Sequence, residues 1–132
     1  MSDDRARSLE FLREVLASTD QAIFGAFTPE LVGVAGLYRD RSVKGAHKAH
    51  LWGLYVKPSY RSSGLGRALV RAAIDFARSL DGVSHVHLAV SERAPNAAAL
   101  YQSLGFVVWG VEPAALRVGG QDISEQHMVL SL

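Results

Sequence analysis

The chain has 132 residues, 48% apolar and 20% charged, with a formal net charge of +1. This composition suits one soluble domain over residues 1–132 and gives no bulk attraction to nucleic acid or an anionic membrane. No cysteine is present, which excludes disulfides, thiolate metal sites and a cysteine nucleophile. No apolar run approaches the length of a membrane span, and the polar start Met1-Ser2-Asp3-Asp4-Arg5 lacks the apolar stretch of a signal peptide, so a cytoplasmic protein is expected.

Residues 4–17 read as an amphipathic helix, with Leu9, Leu12, Val15 and Leu16 on one face, ended by Ser18-Thr19-Asp20. Residues 22–27 and 31–38 read as strands joined by Thr28-Pro29-Glu30, a hairpin. Residues 39–49 are polar and basic, which suits either a plain solvated loop or one that attracts an acidic acceptor. A third strand, 51–56, stops at Lys57-Pro58. The strongest helix signal covers 65–80, with Leu65, Leu69, Ala73, Phe76 and Leu80 as its buried stripe and Arg67, Arg71, Asp75 and Arg78 as its wet one. Residues 83–90 form a strand with Val86, Leu88 and Val90 on one face. A short helix, 95–104, has Pro95 near its start, where a missing N–H costs little. Residues 106–111 read as a strand, 113–122 as turn-rich around Gly119-Gly120, and 127–132 as a closing strand. Two strands alternating around one long helix imply a right-handed parallel βαβ crossover. The expected fold class is α+β: a mixed, mostly antiparallel sheet with a central parallel βαβ unit and flanking helices.

The run Arg61-Ser62-Ser63-Gly64-Leu65-Gly66 lies between the third strand and the long helix. A strand, a glycine-bearing turn and a helix N-terminus make a phosphate cradle, because the first helical N–H groups have no intrahelical acceptor and point at an anion. Gly64 and Gly66 allow close approach to the main chain, and Arg61 and Arg67 add charge. Many helices start after a glycine, so this run alone is a weak signal. A second segment follows in order: Asn96-Ala97-Ala98-Ala99-Leu100-Tyr101, then Gly105-Phe106.

With both segments in place, the chain resembles the GNAT superfamily of acetyl-CoA-dependent N-acetyltransferases. Arg61, Gly64 and Gly66 match that family's Gln/Arg-x-x-Gly-x-Gly/Ala phosphate motif; Asn96, Tyr101, Gly105 and Phe106 match its next motif. Leu54-Tyr55-Val56-Lys57-Pro58 looks like its central strand, and the likeness covers roughly residues 30–110. The resemblance implies transfer of an acetyl group from acetyl-CoA, as co-substrate, to a primary amine. It implies that main-chain groups around Leu54, Tyr55 and Val56 pair with the pantetheine amides, where the central strands splay as at a bulge. The amides from Ser62 through Ser63, Gly64, Leu65 and Gly66 to Arg67 are then expected to hold the pyrophosphate.

By the same resemblance Tyr101 is the general acid: a phenol with a pKa of about 10 is protonated at neutral pH and can donate to a leaving thiolate. Its plain alternative is a core tyrosine. Asn96 either orients the short helix or contacts the cofactor, and it also suits an N-cap. Many relatives carry a glutamate early on the central strand; His50 stands there in this chain. It is either the general base, able to take a proton near neutral pH, or a strand-edge residue facing solvent. His85 and His87 alternate on one strand face and read as sheet residues. Glu125 and His127 lie near the closing strand and are candidates for substrate contact. The five histidines do not show a metal-ligand spacing, so no metal is expected.

The third small residue of a dinucleotide fingerprint is absent, since Leu69 stands at that position, and so is the Gly-Lys-Ser/Thr of a nucleotide triphosphatase loop. A non-catalytic acyl-CoA-binding or regulatory module of the same fold is the competing reading. The chain is expected to lack the family's usual first strand and helix, either through truncation or because a partner subunit completes the sheet edge. A homodimer is the expectation that follows. The acceptor is left open between a small-molecule amine and a protein amino group, with Tyr38, Trp52, Trp109 and the segment 112–126 as candidates for its pocket.

Overall fold

A computed structural model describes residues 13–132, with side chains from residue 18. The helix expected over 4–17 needs correction. Arg13–Ala17 is a strand, β1, paired antiparallel with β2, Gln21–Phe27. The earlier part of that expectation lies outside the described residues. The free ladder groups along the edge of β2 explain the difference: pairing there satisfies the backbone, a nonlocal gain that helical periodicity does not register.

The other elements follow as β3 (Leu31–Arg39), β4 (Lys48–Val56), a 3-10 turn (Pro58–Tyr60), α1 (Leu65–Ser79), β5 (His85–Ser91), α2 (Pro95–Ser103), β6 (Val107–Val118) and β7 (Gln121–Ser131). The described strands form one sheet in the order β1-β2-β3-β4-β5-β7-β6. Of its pairs, β4–β5 alone is parallel, with α1 as the crossover. The sheet is therefore mixed and mostly antiparallel, with a central parallel βαβ unit.

Helix α1 forms because its apolar residues recur at helical spacing and cover Ala22, Phe24, Ala26, Ala35 and Leu37 on one sheet face. Leu65, Leu69 and Ala73 are buried as expected, and Val70, Ile74 and Ala77 are buried with them. Phe76 and Leu80, expected in the stripe, are half-buried at its margin, and Phe76 meets Phe24 edge-on at 6.1 Å between ring centroids. The stripe is wider than its i, i+4 ridge because a helix lying on a sheet buries a broad arc. Each fully buried leucine there contributes about 2 kcal/mol. Helix α2 sits on the same side: Leu100 reaches α1 at Gly66, and the buried Tyr101 ring meets Phe106 at 5.8 Å.

The segment 113–122, expected to be turn-rich, is another correction. Strand β6 runs through Pro113 to Val118, the tight turn is confined to Gly119-Gly120, and β7 begins at Gln121 rather than near 127. Pro113 is tolerated because β6 is the edge of the sheet and its register with β7 shifts between Glu112 and Leu116, so no ladder bond needs the missing N–H.

Candidate active site

Strands β4 and β5 pair at Lys48 with His85, Ala49 with Val86, and His50 with His87, and then part. Beyond that point β4 pairs with β3 alone, as far as Val56, and β5 with β7 alone. The facing edges, Leu51–Val56 and Leu88–Ser91, have backbone groups with no partner across the gap. A bulge deepens the parting: the β3–β4 register shifts between Val34 and Gly36, with Gly53 at φ +67° on the bulged strand.

The turn that follows brings the start of α1 beside the end of β4 and beside α2: a Cβ on Gly66 would lie 3.8 Å from Val56 and 3.4 Å from Leu100. Gly64 is the N-cap at φ 87°, no side chain caps the helix, and the first backbone bond runs from Ala68 N–H to Gly64 O at 3.0 Å. The amides of Leu65, Gly66 and Arg67 therefore have no intrahelical acceptor. A Cβ placed on Gly64 would stand in open space, so the turn selects glycine for its left-handed backbone and leaves the amides accessible. Ser63 is different, since its N–H is bound to Tyr60 O at 3.3 Å. The two arginines are tethered: Arg61 Nε donates to Val56 O at 2.9 Å with its guanidinium over Tyr55, and Arg67 Nη2 donates to Ser103 Oγ at 2.8 Å. Both flank the helix start as positive charge. This corner, with uncapped amides, a glycine turn and two cations, has the chemistry of a diphosphate site.

Tyr101 is 7% exposed, and burial pushes its pKa up to about 12. No described residue accepts a hydrogen bond from its hydroxyl. Asn96 is exposed at the second position of α2, and Ala94 occupies the cap without a side-chain hydrogen bond, which corrects the N-cap expectation. The reason is Pro95, which takes the first helical position, so the cap falls on Ala94, two residues before Asn96.

The strand register gathers a second group on the sheet face away from the helices. Tyr38, His50 and His87 lie side by side, as do Gly36 and Trp52, and Ser91, Glu125 and Glu112. The Trp52 indole lies flat on Gly36: a Cβ there would be 2.3 Å from the ring. Tyr38 stacks on His50 at 4.9 Å, and the His50 and His87 rings are 5.9 Å apart. Burial, then the charges of His50, Lys48, His85 and His47, lowers the His87 pKa. Farther along, His127 Nε2 is 2.9 Å from Glu112 Oε1 and Trp109 tilts over the imidazole at 5.4 Å. The segment 112–126 thus lines this face as paired strands, not as a loop.

Sequence reasoning singled out neither Asp40 nor Glu112. Asp40 Oδ2 is 3.4 Å from His50 Nε2, and its Oδ1 accepts from Ser42 N–H and Ser42 Oγ. The local signal was Asp40-Arg41-Ser42, an aspartate poised to bond the amide two residues on. A pocket of 540 Å³ opens beside Tyr38, Asp40 and Val43, at the end of the sheet away from the uncapped helix.

The family model of the acetyltransferase (GNAT) family matches residues 2–106. The chain belongs to that family. It is similar to the N-alpha-acetyltransferase RimI of Mycobacterium tuberculosis, at 35% identity over 92% of this chain and 74% of the relative. It is similar in structure to a GNAT-family acetyltransferase from Streptococcus pneumoniae, with a TM-score of 0.82, 25% identity and coverage of 88% of this chain and 70% of that one. Arabidopsis thaliana NAA60, solved with acetyl-CoA, shares the fold at a TM-score of 0.75 and 19% identity, covering 86% of this chain and 77% of the other. This GNAT chain is an acetyl-CoA-dependent acetyltransferase, with acetyl-CoA as its co-substrate. Among the described residues no helix is long and apolar enough to cross a membrane.

Proposed function

We propose that this acetyltransferase acetylates a primary amine by direct attack on the thioester, with Tyr101 as general acid and His50 as general base. The observation that carries the reading is the parting of β4 from β5 immediately beyond His50 and His87, with the uncapped start of α1 following at the end of β4. The backbone of Leu54, Tyr55 and Val56 holds the pantetheine arm, and the amides of Leu65, Gly66 and Arg67 hold the diphosphate, flanked by Arg61, Ser62, Ser63 and Gly64. Asn96 borders the same cleft from α2. Bound acetyl-CoA supplies an activated acyl carbon. His50 takes a proton from the attacking amine as the C–N bond forms, and Tyr101 gives one to sulfur as the C–S bond breaks.

The similarity to a relative named for N-alpha acetylation favours the α-amino group of a peptide as acceptor. The test is release of coenzyme A thiol with peptides bearing free α-amines, set against lysine and small amines. Tyr101→Phe is expected to lower kcat roughly ten- to a thousand-fold with acetyl-CoA affinity largely retained. Unchanged turnover in that variant removes Tyr101 from the chemistry.

A further inference from the structure

Resting on the reading of His50 as base, we infer that Asp40 is its positioning residue: Asp40 Oδ2 accepts the Nε2–H of His50 and thereby leaves Nδ1 as the lone pair that receives the acceptor's proton. The geometry is set locally. Ser42 N–H at 3.0 Å and Ser42 Oγ at 2.9 Å hold Oδ1, which turns the other oxygen to the imidazole at 3.4 Å. Tyr38 packs on the ring from β3 at 4.9 Å, closing one face against rotation. No described residue bonds Nδ1. An imidazole with Nε2–H engaged has its basic lone pair on the other nitrogen, so the carboxylate selects the tautomer as well as the orientation.

The groups facing His50 form one charge set. Asp40 approaches from the turn after β3, Tyr38 from β3 and His87 from β5. Lys48, on β4 itself, has Nζ 3.9 Å from the same Asp40 oxygen. Asp40 is kept ionised by Ser42 and by His50, which hold its pKa at about 2. When His50 takes the amine's proton, the imidazolium forms beside that carboxylate. The proton then leaves to solvent, and Tyr101 recovers from solvent the one it gave to sulfur, so the cycle balances.

Three proteins decide the matter: wild type, Asp40→Asn and His50→Gln. The amide oxygen that replaces the carboxylate in D40N can still accept from Ser42, so the turn is retained while the charge is lost. Long-range ¹H–¹⁵N spectra of the free protein are expected to show His50 with the proton on Nε2, and a redistributed tautomer in D40N. With acetyl-CoA and an alanine-terminated peptide, D40N is expected to lower kcat/KM on the order of ten-fold at neutral pH. A wild-type His50 protonated on Nδ1, or a tautomer unmoved in D40N while H50Q is inactive, overturns the role of Asp40 and leaves the base in place. Full activity in H50Q overturns the base, and the role of Asp40 with it.

Discussion

In its proposed role as general acid, Tyr101 joins two demands that usually conflict. A proton donor to a thiolate must be protonated at the working pH and must reach the reaction, yet its ring here is part of the core beside Phe106. Burial meets the first demand directly by disfavouring the phenolate. The same displacement makes a stability statement. Because the folded-state pKa lies above the ordinary value of 10.0, the contribution is complete below about pH 10 and is lost as pH rises through about 12. Thermal melting temperatures measured across that window should fall in wild type, and Tyr101→Phe should remove that part of the loss. Equal alkaline slopes in the two proteins refute the assignment of the shift to burial. The Tyr101 motif was legible in the sequence because it is local, a fixed spacing from Asn96 to Phe106. The partnership of Asp40 with His50 was not, because ten residues and a strand reversal separate the two and only the β3–β4 register brings them together.

At the scale of elements, the turn from β4 into α1 concentrates the demands on the backbone. Ser62 at φ 68° and Gly64 at φ 87° both occupy the left-handed region, and Gly64 is in addition the cap of an unassisted helix. Gly64→Ala adds a methyl group that meets no atom within 4 Å, so its stability cost, about 1 kcal/mol, comes from conformation alone. If the amides of α1 hold the diphosphate, the same variant should also weaken acetyl-CoA binding several-fold by calorimetry. A denaturation midpoint that falls with unchanged affinity would separate the turn from the ligand. Helix α1 and its turn were readable because periodicity and glycine placement are properties of a short window. Strand β1 and the length of β6 were not. The first depends on an edge offered by β2, and the second on a bulge that lets Pro113 stay in an edge strand.

For the molecule as a whole, the parallel pair is the hinge of the design. A sheet that remained paired along β4 and β5 would have no opening between its central strands. This one is held together on both flanks by antiparallel ladders while its middle opens. A ligand that lies in that opening ties the two flanks and binds the folded state alone. At a free concentration a hundred times its Kd, acetyl-CoA should therefore stabilise the protein by about 2.7 kcal/mol, read as a concentration-dependent rise in melting temperature. A melting temperature indifferent to acetyl-CoA would contradict occupancy of the gap. The face opposite the helices, from Tyr38 across to Trp109, stays largely open among the described residues, with Trp52 at 49% and Trp109 at 61% exposure.

Those two residues are all the tryptophans the chain has: Trp52 is on β4, one of the parted strands, and Trp109 is on β6, beyond β7. Indole emission from the native protein thus originates on this open face, one ring resting on glycine and the other leaning on an imidazole. If the acceptor binds on this face, its arrival changes the solvent and quenchers around those emitters before any bond is made, and the unlabelled enzyme then carries its own optical gauge of occupancy.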